Sequence, residues 1–592
     1  MNRYLITTAD EKTWKFDRPV IFLGEWCRLY NRKQIWEKMD AIVAEPYGLG
    51  QTKKDADHFE ARNIEKKLFP VFCELLNRHH GTQHTERFWR IVLGHWFQRI
   101  IDVILNRVYT LEECLKNYKI SGTTVYCSDQ YSLATTDSYS AIWAFNDDRW
   151  NNVLTARILD LLQIKDIQIE ILKNEDINSQ IIKYKFNYFN YNNKKNNLIK
   201  LINSYNKIVV NYHDAFIINS YLPKIEEIKL QLLLRQWPQM WRSPLINIQE
   251  NSNQELRFNL TDQLKTDSNT KLQFIIASLI FDLLPVCYLE GFTYLENIVK
   301  QLPWPNSPKF IFTSNNFDTD EVFKIWTAHK VISGMKYITG QHGNNYGVTK
   351  NDLEPSIEEV TADKFLTWGW TDGLPQHTPS VVLKTIGKKE GAYNSYGGLL
   401  LIELCLYHRI NTWDTTAEFV KYFNDQIDFV RQLPAKPRKE LTIRFHAAYK
   451  YLSWNEEERW NDFDPTLNIE KGIIPIGKLI KKNRLVVHSY DSTGILETLS
   501  QNIPTLAFWQ NGLDHLRDSA KPYYQILVDA GIVHLSVDSV VAMINTIWDD
   551  VDGWWFDKNV QEARQLFCDR YARLSEKPVR ELKQIFNDSK VY

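Results

Sequence analysis

The chain has 592 residues, 44% of them hydrophobic and 24% charged. That length exceeds what one hydrophobic core organises, and that balance excludes a disordered chain, so two or more globular domains are expected. A formal net charge of -1 excludes a global pull toward nucleic acid or anionic lipid. The seven cysteines stand singly without CxxC spacing, which argues against a zinc site or a disulfide framework and for a reducing compartment. The N-terminus lacks a long apolar run, and no stretch reaches the roughly 18 uncharged apolar residues of a spanning helix. The expected location is cytoplasmic, with at most a peripheral contact at the inner membrane face.

In chain order, residues 19–23 (PVIFL) form a buried strand that ends in the turn Gly24-Glu25-Trp26-Cys27. A helical pattern fills about 33 to 118. TTVYCS gives a second strand, with Asp129 just past its end. The Asn-, Lys-, Ile- and Tyr-rich segment near 165–215 reads as a solvated insertion without chemistry. After about 270 the rhythm becomes strand, helix, strand: KFIFTSN, then the helix DTDEVFKIWTAHKVIS, then KYITGQHG, DKFLTWGW and VVLKTIG. Polar and glycine residues near 386–396 mark a domain boundary, giving domains 1–385 and 386–592. The last third repeats the alternation through GGLLLIELCLY, LTIRFHAAYK and NRLVVHSYDSTGILETLSQNIPTLAFW. A long helix near 558–586 is read as packing back on the first domain. Such alternation predicts an α/β fold of parallel sheets flanked by helices, with ligands at the strand C-termini.

Four constellations carry chemistry. The strand ending in His488-Ser489-Tyr490-Asp491 runs into Ser492-Thr493-Gly494, where a helix begins. Free amides there, helped by Ser489, Ser492 and Thr493, suit a phosphate, and Glu497 one turn on suits ribose hydroxyls. Ordinary N-capping by Asp491 or Ser492 is the plainer use of those side chains. Arg444 and His446 leave a strand end, where they can neutralise a departing phosphate or pair with local acids. Gly340-Gln341-His342-Gly343-Asn344 exposes His342 on a glycine turn, as a general base or a phosphate contact. Glu25 and Arg28 follow the first strand, as base and anion contact or as a structural salt bridge. DxD triplets at Asp55–Asp57, Asp318–Asp320, Asp462–Asp464 and Asp550–Asp552 arise easily by chance, and neither a metal nor a cofactor is expected. No dinucleotide fingerprint, Walker A loop, HExxH or GxSxG is present.

The run from QHGNNYG through DKFLTWGW to VVHSYDSTGILETLSQNIPTLAFW, together with FLGEWCR and RFWRIVLGHW, resembles the GT-B transferases of bacterial capsule and O-antigen clusters. These include capsule Kdo-transferases, bacterial sialyltransferase-like enzymes and polyol-phosphate polymerases. The resemblance implies two Rossmann-like domains facing a cleft, the N-terminal one enlarged by helices. The donor, a nucleotide-sugar, would bind the C-terminal domain, and a glycan or lipid-linked glycan acceptor the N-terminal one. CMP-linked nonulosonic acids are slightly favoured as donors, with Arg444-Phe445-His446 matching the histidine motif and Ser492-Thr493 the hydroxyl motif. Ala447 stands where those families carry proline. A CDP-polyol phosphotransferase, a nucleotide-sugar epimerase and a non-catalytic scaffold are the alternatives.

Overall fold

A computed structural model of the protein describes residues 2–173, 182–183, 201–202, 204–206, 208–351, 356–406, 412–413 and 419–588. Most of the Asn- and Lys-rich segment lies outside them. Three parallel sheets organise the chain. The first contains β1 (Arg3–Ile6), β2 (Val20–Phe22), β3 (Ala41–Val43), β4 (Ile120–Tyr126) and β6 (Gln168–Leu172), in the order β3-β2-β1-β4-β6. β5 (Tyr131–Ser132) and β7 (Ile182–Lys183) pair separately. The second contains β8 (Phe216–Ile217), β9 (Ile311–Thr313), β10 (Tyr337–Gly340), β11 (Lys364–Thr367) and β12 (His377–Pro379), in strict succession. Among the described residues, 1–385 thus hold two five-stranded sheets and the small β5–β7 pair.

The third sheet contains β13 (Gly398–Ile402), β14 (Leu441–Arg444), β15 (Asn468–Glu470), β16 (Asn483–His488), β17 (Thr505–Phe508) and β18 (Val533–His534). Its order, β15-β14-β13-β16-β17-β18, is the dinucleotide-fold order 3-2-1-4-5-6, and the first sheet follows the same scheme as 3-2-1-4-5. This is the α/β, Rossmann-type architecture that the alternation predicts. Its strands are continuous apolar runs because helices cover both faces; Leu399, Leu400 and Leu401 are fully buried. β1 escapes sequence reading because RYLI is only four residues long and carries an arginine.

Two long helices, Gln51–His80 and Glu86–Asn117, form the helical enlargement. The second is started by Thr85, whose hydroxyl accepts from the Phe88 amide. They belong to one core shared by the first two sheets, where Leu5 and Ile21 join Ile311 and Tyr337. A separate core joins the second sheet to the third: Tyr346, Phe365 and Trp368 pack with Ile495, Leu499 and Phe567. The last helix, Pro578–Asn587, lays Phe586 against Phe310 and Phe312 at ring distances of 4.8 and 4.9 Å. Among the described residues, no helix is long and apolar enough to cross a membrane.

Candidate functional site

In the third sheet the strand order reverses between β13 and β16, so the ligand crevice of such a fold opens at their C-terminal ends. Ile402 pairs with Arg444 on one side and with His488 on the other. Two strand spacings separate those outer ends, roughly 10 Å, which is within the reach of one nucleotide. Tyr490, two residues past the end of β16, interacts electrostatically with Arg444 and Ser492. The helix Thr493–Ser500 starts at this crevice.

The hydroxyls at that start divide their work. Ser492 caps the helix by accepting from the Ile495 amide at 3.3 Å, and it meets His488 Nδ1 at 3.2 Å. His488 is buried, and desolvation lowers its pKa to about 3, so it is a neutral packing group. Gly494 is required there, since a Cβ would come within 2.5 Å of His488 Cε1. Ser489 is buried too, bonded to the Tyr422 hydroxyl at 2.7 Å and donating to the Ile402 carbonyl at 3.0 Å. Ser489 and Ser492 therefore hold the loop rather than present themselves to a ligand. Thr493 Oγ1 accepts from the Asn344 amide at 3.1 Å, and its own proton has no acceptor among the described residues. With the first amides of the helix, it forms the donor set that suits a phosphate.

The glycine turn after β10 is the other wall. Asn344 reaches across to Asp491 Oδ1 at 2.6 Å, and Asp491 also accepts from Tyr524 at 3.0 Å and faces His515 at 3.2 Å. Gln341 braces the turn: its Oε1 accepts from the Trp368 amide and the Trp370 indole, both at 2.8 Å, while its Nε2 donates to the Gly343 carbonyl. Gly343 lies against Thr493 closely enough that a Cβ would be 3.3 Å from Oγ1.

His342 is set by a relay. Its Nδ1 lies 2.8 Å from the Tyr346 hydroxyl, and that hydroxyl bonds to Glu358. Burial alone would raise the Glu358 pKa, but His95, at 2.8 Å, and His342 hold it below the usual carboxylate value. An ionised carboxylate only accepts, so Tyr346 must give its proton to Glu358 and take one from His342 Nδ1. Nε2 then carries the lone pair, and it has no hydrogen-bond partner among the described residues. Burial lowers the His342 pKa, with Glu358 opposing. This is the preparation a general base needs.

Phe317 and Tyr221 flank the His342 ring at 5.6 and 6.3 Å. Lys384 lies over Tyr221 at 4.5 Å and pairs with Glu497 at 3.6 Å. Its pKa is lowered by burial against the pull of Glu497. Lys384 and the relay partners Tyr346, Glu358 and His95 were not singled out from the sequence. The usable signals were a lysine inside an apolar run and a tyrosine four residues after the histidine. Beside His342, Asp318 makes a bidentate pair with Arg99 at 3.1 Å, and Asp320 caps the helix Glu321–Ile332 and accepts from Ser243 and Asn316. Those acids are committed to the protein's own groups.

The remaining sequence candidates are engaged with other groups of the protein or exposed to solvent. Arg28 grips Glu25 with both oxygens within hydrogen-bond distance, the closest at 2.6 Å. Their loop borders a pocket of about 180 Å³ at the ends of β2 and β3, with Tyr47 and Asn106. The two side chains are thus joined in an ion pair. Asp129 is exposed beyond β4. His446 is exposed, with Nδ1 accepting from the Ala448 amide, and Arg444 bonds its own neighbour's carbonyl and faces Glu470 at 3.7 Å.

A family model describing the LIC12162 family transferases matches residues 3–586. The chain belongs to that family. It is therefore a transferase, and the cluster above is the candidate transfer site of this LIC12162-family member. No curated protein matches the chain. Among solved structures it is similar to MnaA of S. aureus solved with UDP, at 10% identity and TM-score 0.31, over 78% of this chain and 96% of that one. The wall teichoic acid polymerase TagF shows 10% identity and TM-score 0.33, over 67% and 92%. MurG of Acinetobacter baumannii shows 9% and 0.33, over 63% and 99%. Scores of that size assign neither substrate nor reaction, and the fold stands on the strand order.

Proposed function

We propose that this LIC12162-family transferase is a glycosyltransferase that moves a sugar from a nucleotide donor to a hydroxyl of a growing surface glycan. One observation carries the reading: a histidine with its tautomer fixed by Tyr346 and Glu358 sits across from an open helix start at the switch point of a dinucleotide-type sheet. His342 Nε2 takes the proton of the acceptor hydroxyl, whose oxygen attacks the anomeric carbon. The bond from that carbon to the phosphate oxygen breaks, and its electron pair leaves with the nucleotide. The amides at Thr493 and Gly494, the Thr493 hydroxyl and Lys384 receive the negative charge. Donor binding falls to residues 386–592 and acceptor binding to residues 1–385.

A CMP-activated acid sugar is the favoured donor, because Arg444 stands two strands from the helix start and adds a cation for a donor carboxylate. A transfer assay over CMP-, CDP-, UDP- and GDP-linked donors tests this. Turnover of one donor, lost in His342→Ala, supports the proposal. Full turnover by His342→Ala sinks it.

A further inference from the structure

We infer that His84, Glu296 and His329 form a site for a divalent transition metal, zinc foremost. The three come from separate elements: the turn between the two long helices, the helix Phe292–Lys300, and the helix Glu321–Ile332. One donor atom from each lies within 4.8 Å of the others. His329 Nε2 and Glu296 Oε1 are 2.7 Å apart, and the two imidazole centroids are 5.4 Å apart. Zinc with bonds of about 2.0–2.1 Å sets tetrahedral donors roughly 3.3 Å apart. The rings need only small side-chain rotations to reach that spacing.

The turn is built to hold His84 in place. Asn77 accepts from the His84 amide at 3.0 Å and donates to its carbonyl at 2.8 Å, and the same Asn77 oxygen takes the Trp89 indole at 3.1 Å. Phe88 stacks on His84 at 3.7 Å and stands edge-on to His329 at 5.1 Å, an apolar wall against both rings. A bare Glu296–His329 pair would use one imidazole. It would leave His84 clamped beside it with neither ring nitrogen hydrogen-bonded among the described residues. Two neutral nitrogens and a carboxylate are a donor set zinc accepts, with a fourth position open to water.

His329 is eight residues into the helix Glu321–Ile332, roughly 12 Å along its axis from the end preceded by Asp318, which interacts electrostatically with His342. The ion therefore takes no part in transfer. It ties the long-helix hairpin to the helices of the second sheet, and its effect is on stability.

The test uses the full-length protein stripped with a chelator and titrated with Zn²⁺ by calorimetry, alongside Co²⁺ absorbance and thermal melting. The expected result is one equivalent bound, a raised Tm and a tetrahedral Co²⁺ spectrum. Glu296→Gln, which keeps a hydrogen bond to His329, is expected to weaken Zn²⁺ by more than the roughly 10–100-fold typical of losing an outer partner. His84→Gln, in a turn, is expected to abolish the Co²⁺ spectrum. Absence of stoichiometric Zn²⁺ binding in the wild type overturns the inference. So does unchanged affinity in both variants.

Discussion

His342 Nδ1 stands 2.8 Å from the Tyr346 hydroxyl, and the carboxylate beyond it decides which way the proton points. Tyr346→Phe removes the acceptor that fixes the tautomer while keeping the ring packed against Phe365 at 5.2 Å. The expected outcome is a kcat lower by about 10²-fold, the lower end of what a positioned base contributes, with KM little changed. Steady-state kinetics on the purified variant check this. An unchanged kcat means the relay is only structural.

The pH dependence follows from the same group. Burial lowers the His342 pKa from its usual 6.5, so the neutral base is the major form at pH 6.5. The acid limb of kcat/KM is expected below that value, with a plateau above it. A limb centred above pH 6.5 would assign the titration to another group.

Lys384 is a partly buried cation paired with Glu497, on the helix Thr493–Ser500, at 3.6 Å. Lys384→Ala is expected to weaken nucleotide binding by about 1.5–3 kcal/mol, the range for a hydrogen bond to a charged group. Glu497→Gln leaves the lysine unpaired and is expected to tighten or preserve phosphate affinity. Calorimetry with the same nucleotide on both variants separates the two directions.

Asp491 gathers Asn344, Tyr524 and His515 at the joint between the second and third sheets. Asp491→Ala leaves the buried Tyr524 and Asn344 groups without their acceptor, at about 1–3 kcal/mol for each such loss. A lowered denaturation midpoint in chemical unfolding is expected, together with weakened nucleotide binding. A midpoint equal to wild type would show that the joint relies on the shared apolar core alone.

Glu456 supplies a pH test of the third sheet's stability. It is buried, with one oxygen unpartnered, and desolvation raises its pKa from 4.5 to about 7. The raised value means that the folded state binds the proton more tightly. The associated stability is complete below pH 4.5 and lost as pH climbs to about 7, on the order of 3 kcal/mol. Glu456→Gln is expected to flatten the stability profile across that window. A profile as steep as wild type would place the titration elsewhere.

What the sequence exposed was whatever depends on local pattern. Apolar runs such as Leu399–Leu401 marked buried strands, and the glycines around His342 marked a turn that presents a side chain. The helix start at Thr493 was readable from the residues ahead of it. What it hid depends on contacts far apart in sequence. His95 and Glu358 are separated by 263 positions, and only the packing of a long helix on the second sheet joins them. Hydroxyl type alone could not separate Ser489 and Ser492, which the fold consumes, from Thr493, whose proton has no acceptor among the described residues. Lys384 was obscured because it sits within the apolar run VVLKTIG, where Leu383–Thr385 form a 3₁₀ turn.

The proposed transfer requires a nucleotide site at the start of the helix Thr493–Ser500, opposite His342. Calorimetry of CMP, CDP, UDP and GDP on the full-length chain, repeated with Thr493→Val and Lys384→Ala, tests it most directly. One nucleotide is expected to bind below millimolar concentration, and both variants to weaken it at least about tenfold. Failure of all four to bind at millimolar concentration, or binding indifferent to both substitutions, would contradict the proposal.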